Sequence, residues 1–257
     1  MVHKTDYLVI ESTYGNRRHD PDDPEKVLAA VINRTVERGG VILIPSFAVG
    51  RAQSVLYYIH RLKAAHAIPD IPVYLNSPMA IEATDVYRRA TGEHRLTPSE
   101  CKAMCGAARF VNSVEESKRL NDLTSPMIVI SASGMATGGR VLHHIKAFAP
   151  DPRNTILFVG FQAGGTRGEA MVNGVQAVKI HGEYVPVRAE IVAMDHLSAH
   201  ADYVEMMDWL GHFDAPPRET FITHGEPAAA DSLRHRIEEQ FGWRCRVPDY
   251  LEQVTLK

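Results

Sequence analysis

Two histidines stand beside carboxylates in short polar segments, a combination that suits hydrolysis with a metal ion. His200 lies in the run Ser-Ala-His-Ala-Asp, His224 lies in the run Thr-His-Gly-Glu, and Glu11 opens the run Glu-Ser-Thr-Tyr-Gly. Histidine is a frequent zinc ligand and a usual general acid or base. A carboxylate at the end of a strand can orient a histidine and tune its basicity. These three residues are therefore candidate site residues.

Each of these residues also has a simpler interpretation when it is taken alone. A single histidine is more often structural or superficial, and Glu11 alone fits a role in capping a loop. His196 and His200 are four residues apart, but the zincin pattern requires a glutamate directly after the first histidine, where this chain has Leu197. The two histidines together, each beside a carboxylate and a turn residue, favour a functional site.

Three segments combine small residues with an arginine at a predicted helix start, namely residues 45–51, 131–140 and 160–168. Glycine lets backbone amides approach a phosphate, a helix N-terminus favours anions, and arginine adds a forked donor. Each segment alone is a weak indication, because tight turns between a strand and a helix often use glycine for structural reasons. None matches the Walker P-loop or Gly-x-Gly-x-x-Gly. The pattern disfavours a nucleotide cofactor and leaves a phosphodiester backbone open as a ligand.

The elements that position these segments alternate along the chain. Apolar runs rich in β-branched residues are followed by helical patterns, which predicts an α/β fold with a mostly parallel sheet flanked by helices. In such folds, side chains at the carboxyl ends of strands form the site, and His224 follows an apolar strand. Strands are predicted at residues 7–10, 41–45, 73–75, 109–111, 127–131 and 155–159.

Capping signals mark the starts of two helices. Asp23 is a suitable N-cap and Pro24 suits the first helical position, and a pair of glycines after residue 38 ends that helix. Thr97 and Glu100 have the spacing of a capping box. We therefore expect helices to begin at these two points.

The last eighty residues have a different pattern. Residues 177–194 alternate like a hairpin that turns at 182–183. After the hairpin, the sequence predicts a separate piece with a helix over about 201–210 that Ser198 caps, a strand at 220–223, a helix over 228–241 and a final strand at 253–256.

The overall composition excludes few functions. Hydrophobic residues make up 45% of the chain and charged residues 23%, as in ordinary globular proteins. A net charge of −3 gives no general attraction to nucleic acid, so such a partner needs a local basic patch. The three cysteines lack the spacing of a zinc ribbon or a redox motif. Without an apolar run of about 18 residues or a leader pattern, we expect no membrane partner and a cytoplasmic location.

In this order, the motifs resemble those of the β-CASP branch of the metallo-β-lactamase superfamily. That branch includes RNA-processing nucleases such as the nuclease subunit of the cleavage and polyadenylation factor and RNase J. Glu11 matches the acid of the family's motif A, His200 matches motif B, and His224 matches motif C. The separation of 189 residues between Glu11 and His200 suits a whole β-CASP insertion.

The resemblance implies a division into three segments. Residues 1–15 would be a remnant strand of the metallo-β-lactamase domain, residues 16–197 the β-CASP domain, and residues 198–257 the C-terminal part of the metallo-β-lactamase domain. The family's His-x-His-x-Asp-His motif is absent from the sequence. We therefore expect a truncated chain, whose zinc-binding side should precede residue 1.

The resemblance also implies a function for the full-length protein. It would be a zinc-dependent ribonuclease that hydrolyses single-stranded RNA with two zinc ions, in mRNA 3′-end processing or RNA decay. His224 would be a zinc ligand, His200 the proton donor and Glu11 its orienting partner. A catalytic zinc ion needs about three protein ligands, so the isolated chain is expected to be inactive. The residues expected to bind RNA phosphates are Arg51, Ser133, Gly134, Arg140, Gln162, Gly165 and Thr166.

Two other functions remain open. A non-catalytic RNA-binding or scaffold β-CASP module would share the fold, but it would have no need of the three motif residues. A small-molecule α/β hydrolase would bind its ligand with little salt dependence, whereas binding of several RNA phosphates weakens steeply with salt. The sequence leaves the oligomeric state open, a homodimer included, as well as exonuclease or endonuclease action.

Overall fold

Strands and helices alternate through most of the chain. The computed structural model describes residues 2–256, which form two compact units, one of residues 2–20 with 198–256 and the other of residues 21–197. In chain order the elements are β1 (Tyr7–Glu11), α1 (Pro24–Glu37), β2 (Ile42–Pro45), α2 (Arg51–Ala64), β3 (Val73–Leu75), α3 (Pro78–Arg89), α4 (Pro98–Gly106), β4 (Arg109–Phe110), α5 (Val114–Asn121), β5 (Ile128–Ser131), α6 (Arg140–Phe148), β6 (Thr155–Phe158), α7 (Arg167–Val172), β7 (Ala177–Ile180), β8 (Glu183–Pro186), β9 (Glu190–Ala193), α8 (Tyr203–Leu210), β10 (Glu219–Thr223), α9 (Pro227–Phe241) and β11 (Cys245–Arg246).

The larger unit, residues 21–197, is built on a parallel sheet of six strands in the order β4-β3-β5-β2-β6-β9. Every residue of β2, β5 and β6 is buried, which explains why these strands are continuous apolar runs. Along β2, Ile42 and Ile44 join the core on one face of the sheet, while Leu43 joins the core on the other face. The predicted α/β fold with a mostly parallel sheet is confirmed.

Helices cover both faces of this sheet, and their starts follow the capping signals. The Asp23 carboxylate accepts a hydrogen bond from the Glu25 backbone N–H at 2.9 Å, and Pro24 is the first residue of α1. Thr97 and Glu100 form both hydrogen bonds of a capping box at the start of α4. These local predictions are confirmed, because the bonds depend on residues three positions apart or less.

The smaller unit, residues 2–20 and 198–256, joins both ends of the described chain in one sheet. β1 pairs in parallel with β10, and β10 pairs in parallel with β11. The register places Tyr7 opposite Glu219 and Glu11 opposite Thr223. Helices α8 and α9 pack on this sheet, and the strands and helices share one apolar core. The smaller unit therefore depends on contacts between residues about 200 positions apart in sequence.

The last predicted strand, at residues 253–256, is wrong. These residues form no strand and are exposed, although their alternating sequence fits one. The third strand of the smaller sheet is β11 instead, which follows the buried Trp243 and pairs with Thr220 and Phe221 of β10. A strand forms only where its backbone can pair with a neighbouring strand. The segment that follows Trp243 forms β11 and occupies the available edge of β10.

The hairpin predicted over 177–194 is only partly correct. β7 and β8 pair antiparallel and the chain turns at residues 181–182, but residues 190–193 form β9, which lies parallel to β6 in the main sheet. The amides of Arg188 and Ala189 both donate to the Ala149 carbonyl, at 2.8 and 2.9 Å, and this pins the chain as it leaves the hairpin. Apolar residues alternate in this way both in β7 and β8 of the hairpin and in β9 of the main sheet. The sequence pattern therefore could not distinguish β9 from a continuation of the hairpin.

The boundary between the units falls after residue 20, five residues later than the boundary predicted from the resemblance. Tyr14 forms a β-bridge with Asp202, and the backbone N–H of His19 donates to Asp202 Oδ2 at 2.9 Å, so the segment after Gly15 remains attached to the smaller unit. The assignment of the two units to the domains named above stays a prediction. Within residues 2–256, no helix is both long and apolar enough to cross a membrane.

Candidate active site

The parallel pairing of β1 with β10 places Glu11 beside the loop that carries His224. Both strands end at the same edge, and Ser12 Oγ donates to the Thr223 carbonyl at 2.8 Å. Side chains at the carboxyl ends of neighbouring parallel strands meet at one edge of the sheet. Two of the predicted site residues, 213 positions apart in sequence, therefore lie together.

The backbone after β10 is shaped to expose His224. Its φ of 52° lies in the left-handed region, which residues other than glycine seldom adopt. A Cβ at Gly225 would lie 2.2 Å from Ser12 Oγ and 2.6 Å from the Ser12 carbonyl oxygen, so glycine is required for the two loops to approach. The side chain of His224 is 69% exposed as a result.

Glu11 holds the imidazole of His200. Glu11 Oε2 lies 2.7 Å from His200 Nδ1, so Nδ1–H donates to the carboxylate and Nε2 is left for chemistry. Thr13 Oγ1 donates to the same carboxylate oxygen at 2.6 Å, and it also lies 3.2 Å from His224 Nδ1. Because Thr13 donates its hydroxyl proton in the hydrogen bond to Glu11, its Oγ1 can accept a second hydrogen bond from His224 Nδ1–H. This arrangement leaves Nε2 of His224 for a ligand.

Asp202, not Ser198, caps the helix that follows His200. Asp202 Oδ1 accepts from the amides of Val204 and Glu205 at 2.8 and 3.0 Å, and a capping box with Glu205 is complete. Burial opposes ionisation of Asp202, but hydrogen bonds from the amides of Glu205, His19 and Val204 outweigh it, so the pKa of Asp202 lies below its usual value. Ser198 Oγ instead accepts from the His200 amide at 3.2 Å.

His19 is a further residue of this site. Its Nε2 lies 2.9 Å from the His200 carbonyl oxygen, so Nε2–H donates to it, and its ring packs edge-on against the buried Tyr14. Together with the bond from the His19 amide to Asp202, this contact fixes the backbone that carries the His200 imidazole. Neither His19 nor Thr13 belongs to a recognisable ligand pattern of its own, and only their closeness to Glu11 in the sequence pointed to them.

Two groups of side chains in the described residues have the donor types of a metal site. Ligand atoms of Glu11, His200 and His224 lie within 4.8 Å of one another, as do those of His19, Asp202 and Glu205. In the second group, both Asp202 oxygens accept from backbone amides, so it is a structural cluster. In the first group, the exposed side chain of His224 fits a zinc ion, while Glu11 and His200 are bonded to each other. The set can present one clear zinc ligand and one proton donor.

In the larger unit, the three glycine-rich segments follow β2, β5 and β6, which are neighbours in the sheet. Gln162 connects two of these segments, because its Nε2 donates to the carbonyl of Gly134 at 3.1 Å and also to the carbonyl of Gly160 at 3.0 Å. Arg51 begins α2, and its Nε is buried close to Gly160. The sheet thus brings together the three loops predicted to bind phosphates.

The remaining phosphate-binding candidates occupy the same loops. Ser133 Oγ accepts from the Thr137 amide at 3.1 Å, and Gly165 has a φ of 78° with open space where a side chain would be. Thr166 caps α7 by accepting from the Glu169 amide at 3.2 Å. These hydroxyls order the loops, and their contact with phosphate stays a prediction.

Arg140 is held by two further loops of the larger unit. Its guanidinium donates to Asn76 Oδ1 at 2.9 Å and to the carbonyls of Val111 and Asn112 at 3.1 and 2.6 Å. Asn76 Nδ2 in turn donates to Nε2 of His144 at 2.7 Å. Burial, with help from the charges of His143 and Arg140, lowers the pKa of His144 to about 4, so its ring is neutral. No sequence pattern pointed to His144, whereas the position of Asn76, a polar residue directly after a buried strand, was a signal that went unused.

Two family models match consecutive parts of the chain. The Beta-Casp domain matches residues 52–171, and the Zn-dependent metallo-hydrolase RNA specificity domain matches residues 184–248. The chain belongs to the β-CASP branch of the metallo-β-lactamase superfamily. The resemblance drawn from Glu11, His200 and His224 is thereby confirmed at the level of the family.

Three curated relatives show how much of a β-CASP protein this chain spans. Ribonuclease TTHA0252 of Thermus thermophilus is 38% identical over 231 residues, which cover 86% of this chain and 52% of the relative. Transcription termination factor FttA of Pyrococcus abyssi is 34% identical, with 97% of this chain and 41% of the relative covered. An RNase J-like protein of Methanocaldococcus jannaschii is 32% identical, with 88% and 53% covered. The chain therefore spans about half the length of these relatives or less.

Proposed function

We propose that this chain forms part of a zinc-dependent ribonuclease that hydrolyses phosphodiester bonds of single-stranded RNA. The proposal rests on one observation, the bond of 2.7 Å between Glu11 Oε2 and His200 Nδ1 beside the exposed His224. A carboxylate-oriented histidine beside a potential zinc ligand is an arrangement for phosphoryl hydrolysis. A ribonuclease among the relatives and an RNA specificity domain in the family model support it.

The residues of the smaller unit divide the chemistry among them. Glu11 keeps Nδ1 of His200 protonated and directs Nε2 outward, where a proton on Nε2 is available to the leaving oxygen of the substrate. Thr13 fixes both Glu11 and the His224 ring, so that Nε2 of His224 is free to bind zinc. Bound zinc would supply an activated water and charge stabilisation for the phosphate.

The larger unit is proposed to bind the RNA backbone. The loops after β2, β5 and β6 contain Gly134, Gly165 and the amide-rich turns around them, together with Arg51. Backbone N–H groups and guanidinium groups at helix starts favour phosphate, even though the net charge of the chain is −3. This local arrangement substitutes for the basic patch that the overall composition lacks.

The zinc requirement leads to a separate proposal for the isolated chain. His224 is the one clear ligand within the described residues of the motif A, B and C cluster, and a catalytic zinc ion needs about three. The 257-residue chain by itself is therefore proposed to bind RNA without cleaving it, and two zinc ions are proposed for the whole enzyme. A cytoplasmic location is proposed from the sequence pattern alone.

The function can be tested by substitution in the gene product that carries this sequence. His200→Ala and Glu11→Gln should each lower the cleavage rate of single-stranded RNA by at least about 100-fold, because a positioned general acid contributes about 10²–10⁴. RNA affinity should remain unchanged, since neither residue lies in the loops of the larger unit. His212→Ala is a matched control, because His212 is an exposed histidine whose ring bonds only the Asp208 carbonyl among the described contacts.

Two results would overturn the proposed function. One is full ribonuclease activity in the double variant that combines His200→Ala with Glu11→Gln. The other is RNA binding by the 257-residue chain that does not weaken as salt rises, because binding to several phosphates must release counterions. A salt-independent interaction would favour a small-molecule hydrolase instead.

A further inference from the structure

An exposed aromatic ring lies at the edge of the larger sheet where the three phosphate-binding loops meet. Phe47 follows the end of the central strand β2 by two residues, and 43% of it is exposed. Its backbone is fixed, because the Phe47 carbonyl accepts from the Ala52 amide at 3.1 Å and from Ser46 Oγ at 3.2 Å. Single exposed apolar side chains are common on protein surfaces, so the position of this ring among the three loops, and not its exposure alone, suggests a binding role.

One side of the Phe47 ring rests on the neighbouring loop. A Cβ at Gly134 would lie 3.0 Å from Cδ2 and 3.2 Å from Cε2 of the ring, so the missing side chain provides the space that the ring occupies. The Gly134 carbonyl is bonded by Gln162 of the third loop. Phe47 is thus supported on one side by the Gly134 loop, while 43% of the residue is exposed to solvent.

The surroundings of the ring match the two chemical parts of a nucleotide. Val49 and Met79, which are 72% and 65% exposed, follow β2 and β3 and add apolar surface at the same edge of the sheet. Arg51 starts the next helix, and the glycine-rich loops present backbone amides. An apolar ring beside anion-binding groups suits a planar base attached to a phosphate better than it suits an apolar protein surface.

We propose that Phe47 is a base-stacking platform, on which one nucleobase of the bound single-stranded RNA lies. The inference rests on the proposed function of the larger unit as an RNA-binding surface, and it adds a base contact to the predicted phosphate contacts. Stacking on an aromatic ring accepts any base, so Phe47 contributes affinity and fixes the position of the strand without reading its sequence.

Binding of a fluorescent oligouridylate to the 257-residue chain tests the proposal. Phe47→Ala should weaken binding by about 5- to 150-fold, the range for loss of one base–aromatic contact. Phe47→Trp should retain the affinity, while Phe47→Leu, which keeps the apolar volume but not the planar ring, should behave like Phe47→Ala. Tyr184→Ala is the matched control, because Tyr184 is a 74% exposed aromatic residue on β8 that lies outside these loops.

An abasic oligonucleotide of equal length separates stacking from phosphate binding. The wild-type protein should bind it as weakly as Phe47→Ala binds oligouridylate, and the salt dependence of all variants should stay equal, because no phosphate contact is lost. Equal affinity of wild type, Phe47→Leu and Phe47→Ala for oligouridylate would overturn the role of Phe47 while leaving RNA binding intact. Failure of the wild-type protein to bind either oligonucleotide would instead overturn the proposed function. Retained melting temperatures would exclude unfolding as the cause.

Discussion

Replacement of Asp202 tests whether this one carboxylate joins the two ends of the smaller unit. Asp202 Oδ1 caps α8, and Oδ2 accepts from the amide of His19, which belongs to the N-terminal segment. Loss of an N-cap costs about 0.5–2 kcal/mol, and leaving the partly buried N–H of His19 without its acceptor costs about 1–3 kcal/mol. We therefore expect Asp202→Ala to lower the free energy of unfolding by about 1.5–5 kcal/mol.

Asp202→Asn separates the two contributions. Asparagine is as good an N-cap as aspartate, but its amide nitrogen cannot accept from the His19 N–H while its oxygen caps the helix. The expected loss is about 1 kcal/mol. Asp231→Ala is the control, because Asp231 forms an exposed ion pair with Arg234 on α9 and such pairs contribute little.

Tryptophan fluorescence during urea unfolding is the appropriate assay. The two tryptophans, Trp209 and Trp243, both belong to the smaller unit, so their signal reports its unfolding and not that of the larger unit. Because the folded-state pKa of Asp202 is lowered, its stabilising effect is present above the unfolded-state pKa and is lost as the pH falls through the folded-state value. The difference between wild type and Asp202→Ala should therefore shrink in acid. Equal stability of the two proteins at pH 7 would refute the reasoning.

Three further outcomes are expected. Gly225→Ala should destabilise the smaller unit by about 1–3 kcal/mol through its clash with Ser12, as measured by tryptophan fluorescence in urea. Gly92→Ala has open space in the larger unit, and it should leave the urea unfolding of that unit unchanged when circular dichroism follows it. The thiol of Cys105 should react slowly with a disulfide reagent at pH 8, because burial and the nearby Cys101 raise its pKa to about 11; rapid labelling of the native protein would contradict this. His144 has a pKa of about 4 in the folded protein and about 6.5 when unfolded, so the unfolded chain binds its proton first as the pH falls. The larger unit should therefore lose stability between about pH 6.5 and pH 4. Circular dichroism should show a shallower loss for His144→Asn.

The sequence predicted those features that depend on residues near one another in the chain. The cap at Asp23 and the capping box at Thr97 were found because each involves neighbours within three positions. The parallel sheet was predicted because a strand buried on both faces must be apolar throughout. Family motifs identified Glu11, His200 and His224, which the structure brings together.

Other features could not be predicted, because they depend on partners that are distant in the chain. The residues at 253–256 have the alternation of a strand, but β11 occupies the available edge of β10. His19 acquires its role only when the N-terminal segment lies beside the His200 carbonyl. The neutral state of His144 follows from burial beside Asn76 and Asn121, which lie 68 and 23 positions away in the sequence, so no local pattern predicts it.

The pairing of β1 with β10 has a consequence for the time course of folding. Contacts such as that of Ser12 with the Thr223 carbonyl close a loop of 211 residues, and contacts of such separation form slowly. During synthesis, β1 leaves the ribosome long before its partner β10 has been made. By the time β10 emerges, the whole of the larger unit has already been synthesised. The larger unit, which lies between β1 and β10 in the sequence, can therefore fold first, and the residues around Glu11 acquire their arrangement only after His224 has been synthesised.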